Sequence, residues 1–585
     1  MAEAKVLGDQ TPMESKKVTG TGGELLMHQL VAQGVEYAFT NTGSAEAGFF
    51  DAFLTVPGVQ PILLLNESLV LSAADGYARA SRGKAAFVNV HLAAGTRQGS
   101  GQLYNAYFDG TPMVVTAAMR DNGSFGDHNT LGVSSGFAQM STVQDVTKKR
   151  WEVREAAGIP MATRRAFSEA LTMPTGPTYV AYSGESLDAK NVEGVITPGR
   201  AVDVASTPEE STLRVIHDAL LNSEKPLLVV GPDIQNAKAQ QEILELAENY
   251  ALPVAVNFFD YGSFPRSHPN FAGLIDAMPP DDYDVVCCVG FRPNTRANET
   301  DERFPSAYRI GIGQDPSMLN GSFAHDVHLW ANVKSALAAL NRLWQPGDAN
   351  LHHLSQRRAE IASASEVRLA KQRDGALAHA SDEIIHPTYL GQRMAEVLAK
   401  NTTVVSENFN AADHMMPFGY AEDEWRLVRA YGGSLGYGLG GAIGAQLADP
   451  DRPTVLSIGD GSVMYSSSGF WTMARYSLPI ITVVWNNMQY QTVRTNFARW
   501  GGNMADQNKY PETYLGDPEI DFVMLAKAQG ISGERVDASD DLDAALTRAR
   551  DAQAGGEPYA LDVRITNVGL GADQSWYKAF SLNTV

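Results

Sequence analysis

Two short segments hold residue types that could bind a metal ion and a polyphosphate between them: Gly459-Asp460-Gly461-Ser462 and Asn486-Asn487. Each follows a run that reads as a buried parallel strand. Thr454-Val455-Leu456-Ser457-Ile458 is apolar and β-branched and stops at a glycine-flanked aspartate, while Ile480 to Trp485 is apolar and stops at the asparagines. Between them Phe470, Met473, Ala474 and Leu478 recur at helical spacing, so Ser467 to Ser477 reads as the connecting helix. A right-handed strand–helix–strand crossover opens both strand ends on one edge of the sheet, which lets Asp460 and Asn487 face the same ion. Magnesium takes hard oxygen ligands and keeps oxygens of a bound phosphate; a carboxylate, an amide oxygen and one backbone carbonyl would complete its shell.

The elements that must position these groups belong to a long chain. At 585 residues it exceeds one core and predicts about three domains. With 44% hydrophobic and 19% charged residues it has ordinary globular composition. A formal charge of -21 argues against a polyanion, so no nucleic-acid partner is expected. The two cysteines, Cys287 and Cys288, are adjacent in the apolar run Asp284 to Gly290 and read as small strand residues, which suits a reducing, cytoplasmic setting. Residues 1–18 are polar and mixed in charge, a disordered tail without the apolar core of a signal peptide, and no run approaches the length of a membrane span.

Residues 19–190 alternate helical and strand patterns, with Leu25, Leu26, Leu30 and Val31 on a helix and strands at 35–39, 62–65, 87–90 and 113–117. Such alternation predicts an α/β domain on a doubly wound parallel sheet. A second such domain, 205–345, opens on Lys225 to Pro232 and continues through a helix at 239–250 and a strand at 254–258. Its Gly231 lacks the further glycines of a dinucleotide fingerprint. The polar, alanine-rich stretch 346–381 reads as a linker, and a third domain, 382–566, carries the two chemical turns. The expected fold class is therefore α/β with three doubly wound parallel-sheet domains.

A Gly-Asp-Gly followed some two dozen residues later by Asn-Asn resembles the signature of the thiamine diphosphate enzymes, and the resemblance covers almost the whole chain. It implies an N-terminal pyrimidine-binding domain, a Rossmann-like middle domain that in relatives sometimes binds FAD or ADP, and a diphosphate- and magnesium-binding third domain. The implied cofactors are thiamine diphosphate and Mg²⁺. The coenzyme loses a thiazolium proton to give a carbanion that attacks a carbonyl and stores the electrons of a broken carbon–carbon bond. The family's glutamate, which hydrogen-bonds the aminopyrimidine, matches Glu67 ahead of Asp75-Gly76-Tyr77-Ala78-Arg79. Without the resemblance Glu67 is simply an acid in a helix first turn, worth a fraction of a kcal/mol. The resemblance further assigns Asp460, Asn487 and the Gln489 carbonyl to magnesium, and the Gly461 amide, Ser462, Asn410 and Tyr490 to the diphosphate. The turn Tyr431 to Tyr437 matches the aminopyrimidine seat, where the Gly433 carbonyl accepts from the amino group and Leu435 is the wedge that bends the cofactor, a role compatible with plain core packing. Because relatives share each cofactor between two chains, a homodimer or homotetramer is implied.

Within the family the chain resembles the benzoylformate decarboxylase branch. Asn41-Thr42-Gly43-Ser44 stands where that branch has Asn-Pro-Gly-Ser, and Val88 to Gly95 where it has a strand ending in His-Ser-Ala-Ala-Gly. Ser44 would grip a substrate carboxylate and His91 would shuttle a proton, although a histidine at a strand end is often structural. His268, in Phe264 to Pro269, reads as structural. The branch's second active-site histidine is missing from Phe291 to Arg296, while His128 in Gly126 to Gly132 is similar to one of the paired histidines of pyruvate decarboxylases. Thr492, Val493, Leu92 and His128 are candidates for the acyl pocket. The extension 567–585, with Trp576, Tyr577 and Phe580, reads either as a lid that keeps water from the carbanion or as an aromatic patch docking the terminus.

The expected function is lysis or ligation of a carbon–carbon bond beside a carbonyl, foremost the non-oxidative decarboxylation of a 2-oxo acid such as benzoylformate. Alternatives are a 2-hydroxyacyl-CoA lyase, an acetolactate synthase-like carboligase, and a non-catalytic cofactor-binding subunit.

Overall fold

Short, β-branched runs become the strands of three six-stranded sheets, and every neighbouring pair in them is parallel. The computed structural model describes residues 14–81, 83–121, 136–199, 208–257, 262–292, 303–319, 321, 323–408 and 426–573. Two compact units contain the sheets: Met1–Ala74 with Lys84–Asp203, and Asp75–Gly83 with Val204–Val585.

In the first unit the strands lie in the order Gln60–Leu63, Tyr37–Thr40, Ala86–Val90, Met113–Met119, Pro177–Ser183 and Arg150–Val153. The central ones are buried on both faces, as near-continuous apolar runs require. Helices Gly22–Ala32 and Ile159–Leu171 cover the sheet and share one core with Phe49, Phe87 and Val114. A two-stranded antiparallel sheet, Lys16–Gly20 with Val192–Ile196, extends beyond the expected boundaries of this domain at both ends. The end of the expected tail is thus ordered: Lys17 pairs with Glu193 at 2.8 Å, and residues 16–18 enter a ladder rather than coil.

In the second unit the middle sheet runs Phe271–Leu274, Val254–Val256, Pro226–Val230, Val285–Val289, Tyr308–Gly313 and Val327–Trp330. The order reverses between Pro226–Val230 and Val285–Val289, where folds of this kind bind nucleotides. At that point stands the buried Asp233, whose carboxylate accepts the Gln314 amide at 3.2 Å. The crevice it shares with Phe291, Leu319 and His325 holds about 10 Å³. Cys287 and Cys288 are buried strand residues, and burial pushes the Cys287 thiol up to about 12. His268 bonds Glu248 at 3.1 Å and packs edge-on against Phe264, a structural post as read from the sequence.

The stretch expected as a linker, 346–381, is for most of its length one helix, His352–Leu377. Alanine, arginine, glutamate and lysine are strong helix formers, and the few buried positions, among them Leu354 and Arg357, suffice to dock it. Arg357 donates to the carbonyls of Ala251, Ser223 and Tyr250 at 2.8, 2.8 and 2.7 Å, tying the helix to the middle sheet's flank.

The third sheet runs Arg426–Val428, Thr403–Glu407, Thr454–Gly459, Ile480–Asn486, Tyr559–Arg564 and Ser532–Val536. Helix Gly438–Ala448 is buried along almost its whole length, as a glycine-rich helix with Gln446 as its one polar side chain must be. Among the described residues no helix is long and apolar enough to cross a membrane.

Candidate active site

Strands Thr454–Gly459 and Ile480–Asn486 are paired in register from Thr454↔Ile480 to Gly459↔Trp485, so the turns that leave them emerge side by side. Helix starts at once after the first strand, with Asp460–Ser466 ahead of Gly469–Arg475, rather than at Ser467 as the periodicity suggested. The glycine-flanked aspartate is therefore the first helical residue, where free amides gather.

One oxygen of Asp460 accepts the Gly461 amide at 2.7 Å, and the other is buried with no hydrogen-bond partner among the described residues. Burial pushes this carboxyl up to about 7, against the pull of the Gly461, Met488 and Asn487 amides. The two asparagines divide the work. Asn486 holds the turn, donating to Asp562 at 2.9 Å and accepting from Met488 at 3.2 Å, and Asn487 lines a cavity while its side-chain oxygen accepts the Gln489 amide at 3.1 Å. Met488, the residue after them, takes a left-handed φ of 56°.

That cavity, about 130 Å³, is lined by Asp460, Gly461, Ser462, Asn487, Gln489, Tyr490 and Leu435, all singled out from the sequence, and by Thr492 and Val493 of the suggested acyl pocket. At Gly461 a Cβ would lie 2.4 Å from the Tyr490 ring, so only glycine leaves both in place. Gly433 takes φ +82° with open space beside it. Arg494, buried over the Tyr510 ring, donates to the Gln489 side chain and to Asp573, each at 3.0 Å.

Glu407, also on the cavity wall, carries a role that its sequence context did not reveal. Its carboxylate accepts the amides of Gly436 and Gly438 at 2.6 and 2.7 Å, closing the turn that begins at Tyr431 and serving as the acceptor that helix Gly438–Ala448 lacks on its own N-cap.

In the other unit, strands Gln60–Leu63, Tyr37–Thr40 and Ala86–Val90 are neighbours, and their exits bring Glu67, Ser44 and His91 to one sheet edge. Glu67 opens helix Glu67–Ala80, is 8% exposed, and leaves no room for a side chain at Gly95, where a Cβ would sit 2.7 Å from its carboxylate. A Cβ on Gly43 would sit 1.9 Å from His91 Nδ1, so the ring packs directly on the turn that presents Ser44. The partner of that ring nitrogen is Glu46, at 2.7 Å, a buried acid that nothing in the spacing marked. Leu92, the next residue, has φ 51°. His128, Asn410 and the aromatic extension at Trp576, Tyr577 and Phe580 lie outside the described residues.

Comparison with known proteins matches each part of the chain to one family. The N-terminal TPP binding domain of thiamine pyrophosphate enzymes matches residues 20–142, the central domain 213–340 and the C-terminal TPP binding domain 410–563. Benzoylformate decarboxylase of Pseudomonas aeruginosa is 28% identical over 536 residues, 88% of this chain and 94% of that protein. The acetolactate synthase isozyme 3 large subunit of Escherichia coli is 24% identical, over 95% of this chain and 98% of its own. Among solved structures, the thiamine diphosphate-dependent 4-hydroxybenzoylformate decarboxylase of Rhodococcus jostii RHA1 superposes with a TM-score of 0.77 at 24% identity, over 93% of this chain and 99% of the other. Benzoylformate decarboxylase of Polynucleobacter necessarius does so at 0.76 and 21%, over 93% and 98%. With three α/β sheets and its two chemical turns at one strand edge, the chain belongs to the thiamine pyrophosphate enzymes.

Proposed function

We propose that the chain is a cytosolic, thiamine diphosphate- and Mg²⁺-dependent decarboxylase of a benzoylformate-like 2-oxo acid, with aldehyde ligation as its second reaction, working as a homodimer or homotetramer. The observation that carries this reading is the packing of His91 on the Ser44 turn, which puts a hydroxyl donor and an imidazole at one sheet edge. The relative from Pseudomonas aeruginosa, a benzoylformate decarboxylase, points the same way.

The residues fit the cofactor. The unpartnered oxygen of Asp460, the Asn487 side-chain oxygen and the Gln489 carbonyl would hold magnesium, all three hard donors. The Gly461 amide, Ser462, Tyr490 and Asn410 would meet the diphosphate, and the Gly433 carbonyl and Leu435 the aminopyrimidine, toward which a second copy of the chain would contribute its own Glu67. Bound there, thiamine diphosphate supplies a carbon nucleophile and an electron sink for the bond that breaks. The chain's own side chains do the rest. Glu67 holds and returns a proton at its carboxyl oxygen; the Ser44 hydroxyl donates to the substrate carboxylate and orients it; His91 moves a proton at Nε2 to and from the reacting carbonyl. Val493 and Thr492 border the acyl group and exclude water from it. In the middle domain FAD or ADP stays open as a further ligand, for which the present crevice at Asp233, about 10 Å³, would have to widen.

The test is to incubate the metal-loaded holoenzyme with benzoylformate, pyruvate and a 2-hydroxyacyl-CoA, following carbon dioxide and ligated product. Carbon dioxide and benzaldehyde from benzoylformate support the proposal. Acetolactate from pyruvate, or cleavage of the thioester alone, replaces it with a carboligase or an acyl-CoA lyase.

A further inference from the structure

Glu46 is fully buried, yet its carboxylate is shared between two separate chain segments, one holding His91 and Leu92 and the other Ala118. One oxygen accepts the Ala118 amide at 2.9 Å and reaches the Leu92 amide at 3.4 Å; the other meets His91 Nδ1 at 2.7 Å. We propose that Glu46 is the positioning residue of the proton shuttle: it keeps the hydrogen of His91 on Nδ1 and so leaves Nε2 as the nitrogen that exchanges protons with substrate. The inference rests on the reading of His91 given above.

A carboxylate offers only acceptors, so the imidazole nitrogen facing it carries the hydrogen. The second ring nitrogen is then the one free to take up and release a proton, the arrangement that a buried acid imposes on histidines in other proton-transfer and metal sites. The seat is closed from both sides. Gly43 allows no Cβ on one flank, and on the other Leu92 adopts a left-handed backbone that non-glycine residues rarely take. The same carboxylate oxygen that reaches the Leu92 amide steadies this conformation, so one acid fixes both the ring's tautomer and the turn that carries it.

Glu46→Gln is nearly isosteric and can still accept the Ala118 amide, but its amide group donates to Nδ1 and moves the ring hydrogen to Nε2. In the holoenzyme with benzoylformate, Glu46→Gln is expected to lower kcat about 10²-fold with KM within a few-fold, and to displace the pH profile of kcat/KM. Glu46→Asp should recover part of the loss. Nitrogen-15 NMR of histidine-labelled protein, with His91 assigned from His91→Ala, should report Nδ1–H in the parent and Nε2–H in Glu46→Gln. In the His91→Ala background Glu46→Gln should cost less than about 3-fold, since the two act as a unit. Unchanged kcat and tautomer in Glu46→Gln, with His91→Ala crippled, overturns the proposal and leaves the reading of His91 standing. An equal loss from Glu46→Gln with and without His91 overturns it in favour of a purely structural acid. Full turnover by His91→Ala removes the histidine from the reaction, and the proposal with it.

Discussion

Glu407 and Gly438 meet at 2.7 Å, a buried carboxylate accepting the first amide of a buried helix. Burial lifts the carboxyl from its ordinary 4.5 to about 7, although the Gly438, Gly436 and Tyr437 amides and Arg429 pull it down. A group whose folded value is raised binds its proton more tightly in the folded state. Its stabilising share is complete below about 4.5 and is lost as pH rises through about 7. Thermal denaturation from pH 4.5 to 8 should therefore fall more steeply in the parent than in Glu407→Gln, by an integrated difference on the order of 3 kcal/mol. Parallel curves would place the acid outside the stability balance of the turn.

Two strands of the third sheet were legible because they are apolar, β-branched runs that end in glycine or asparagine, residues with a chemical reason to be there. Pairing of the two turns followed from crossover handedness alone. Glu46 and Glu407 escaped notice for one shared reason. Each acts on amides far along the chain, Ala118 for one and Gly438 for the other, and no local spacing encodes an acceptor whose donors arrive from a different strand. The helix His352–Leu377 was hidden by the opposite property, a surface so polar that its few buried positions give no apolar stripe.

Asp460→Asn separates metal binding from folding. Asparagine keeps an acceptor for the Gly461 amide and removes a carboxylate that burial disfavours, so at pH 8 the cofactor-free variant should melt no lower than the parent. The upward shift that Mg²⁺ and thiamine diphosphate give the parent should vanish. Differential scanning fluorimetry with and without both ligands reads each effect, and a retained ligand shift would dismiss Asp460 as the ion's anchor.

Glu67→Gln should bind cofactor yet lose roughly 10²- to 10⁴-fold in turnover, the range for one acid–base group. Calorimetry of cofactor binding beside steady-state assays with benzoylformate distinguishes this from collapse of the site. A change within 3-fold would return Glu67 to the lesser part of a first-turn charge on its helix.

Arg357 tests whether the helix between the last two sheets is a fastening or only a connection. Its guanidinium spends three donors on the carbonyls of Ala251, Ser223 and Tyr250, and burial lowers it to about 10, so removal strands three acceptors away from water. Each unpaired buried group costs about 1–3 kcal/mol, and Arg357→Ala also forfeits the packing of the side-chain stem. Arg357→Met keeps most of that stem, and Arg357→Lys keeps the charge but not the planar fork that reaches three carbonyls at once. The expected order of melting temperature is parent, then Lys and Met, then Ala. Limited proteolysis should rise at the start of the helix, near Leu351 and His352, in the same order reversed. If Arg357→Ala melts and is cleaved like the parent, the helix holds by its apolar contacts alone and the three hydrogen bonds add nothing net.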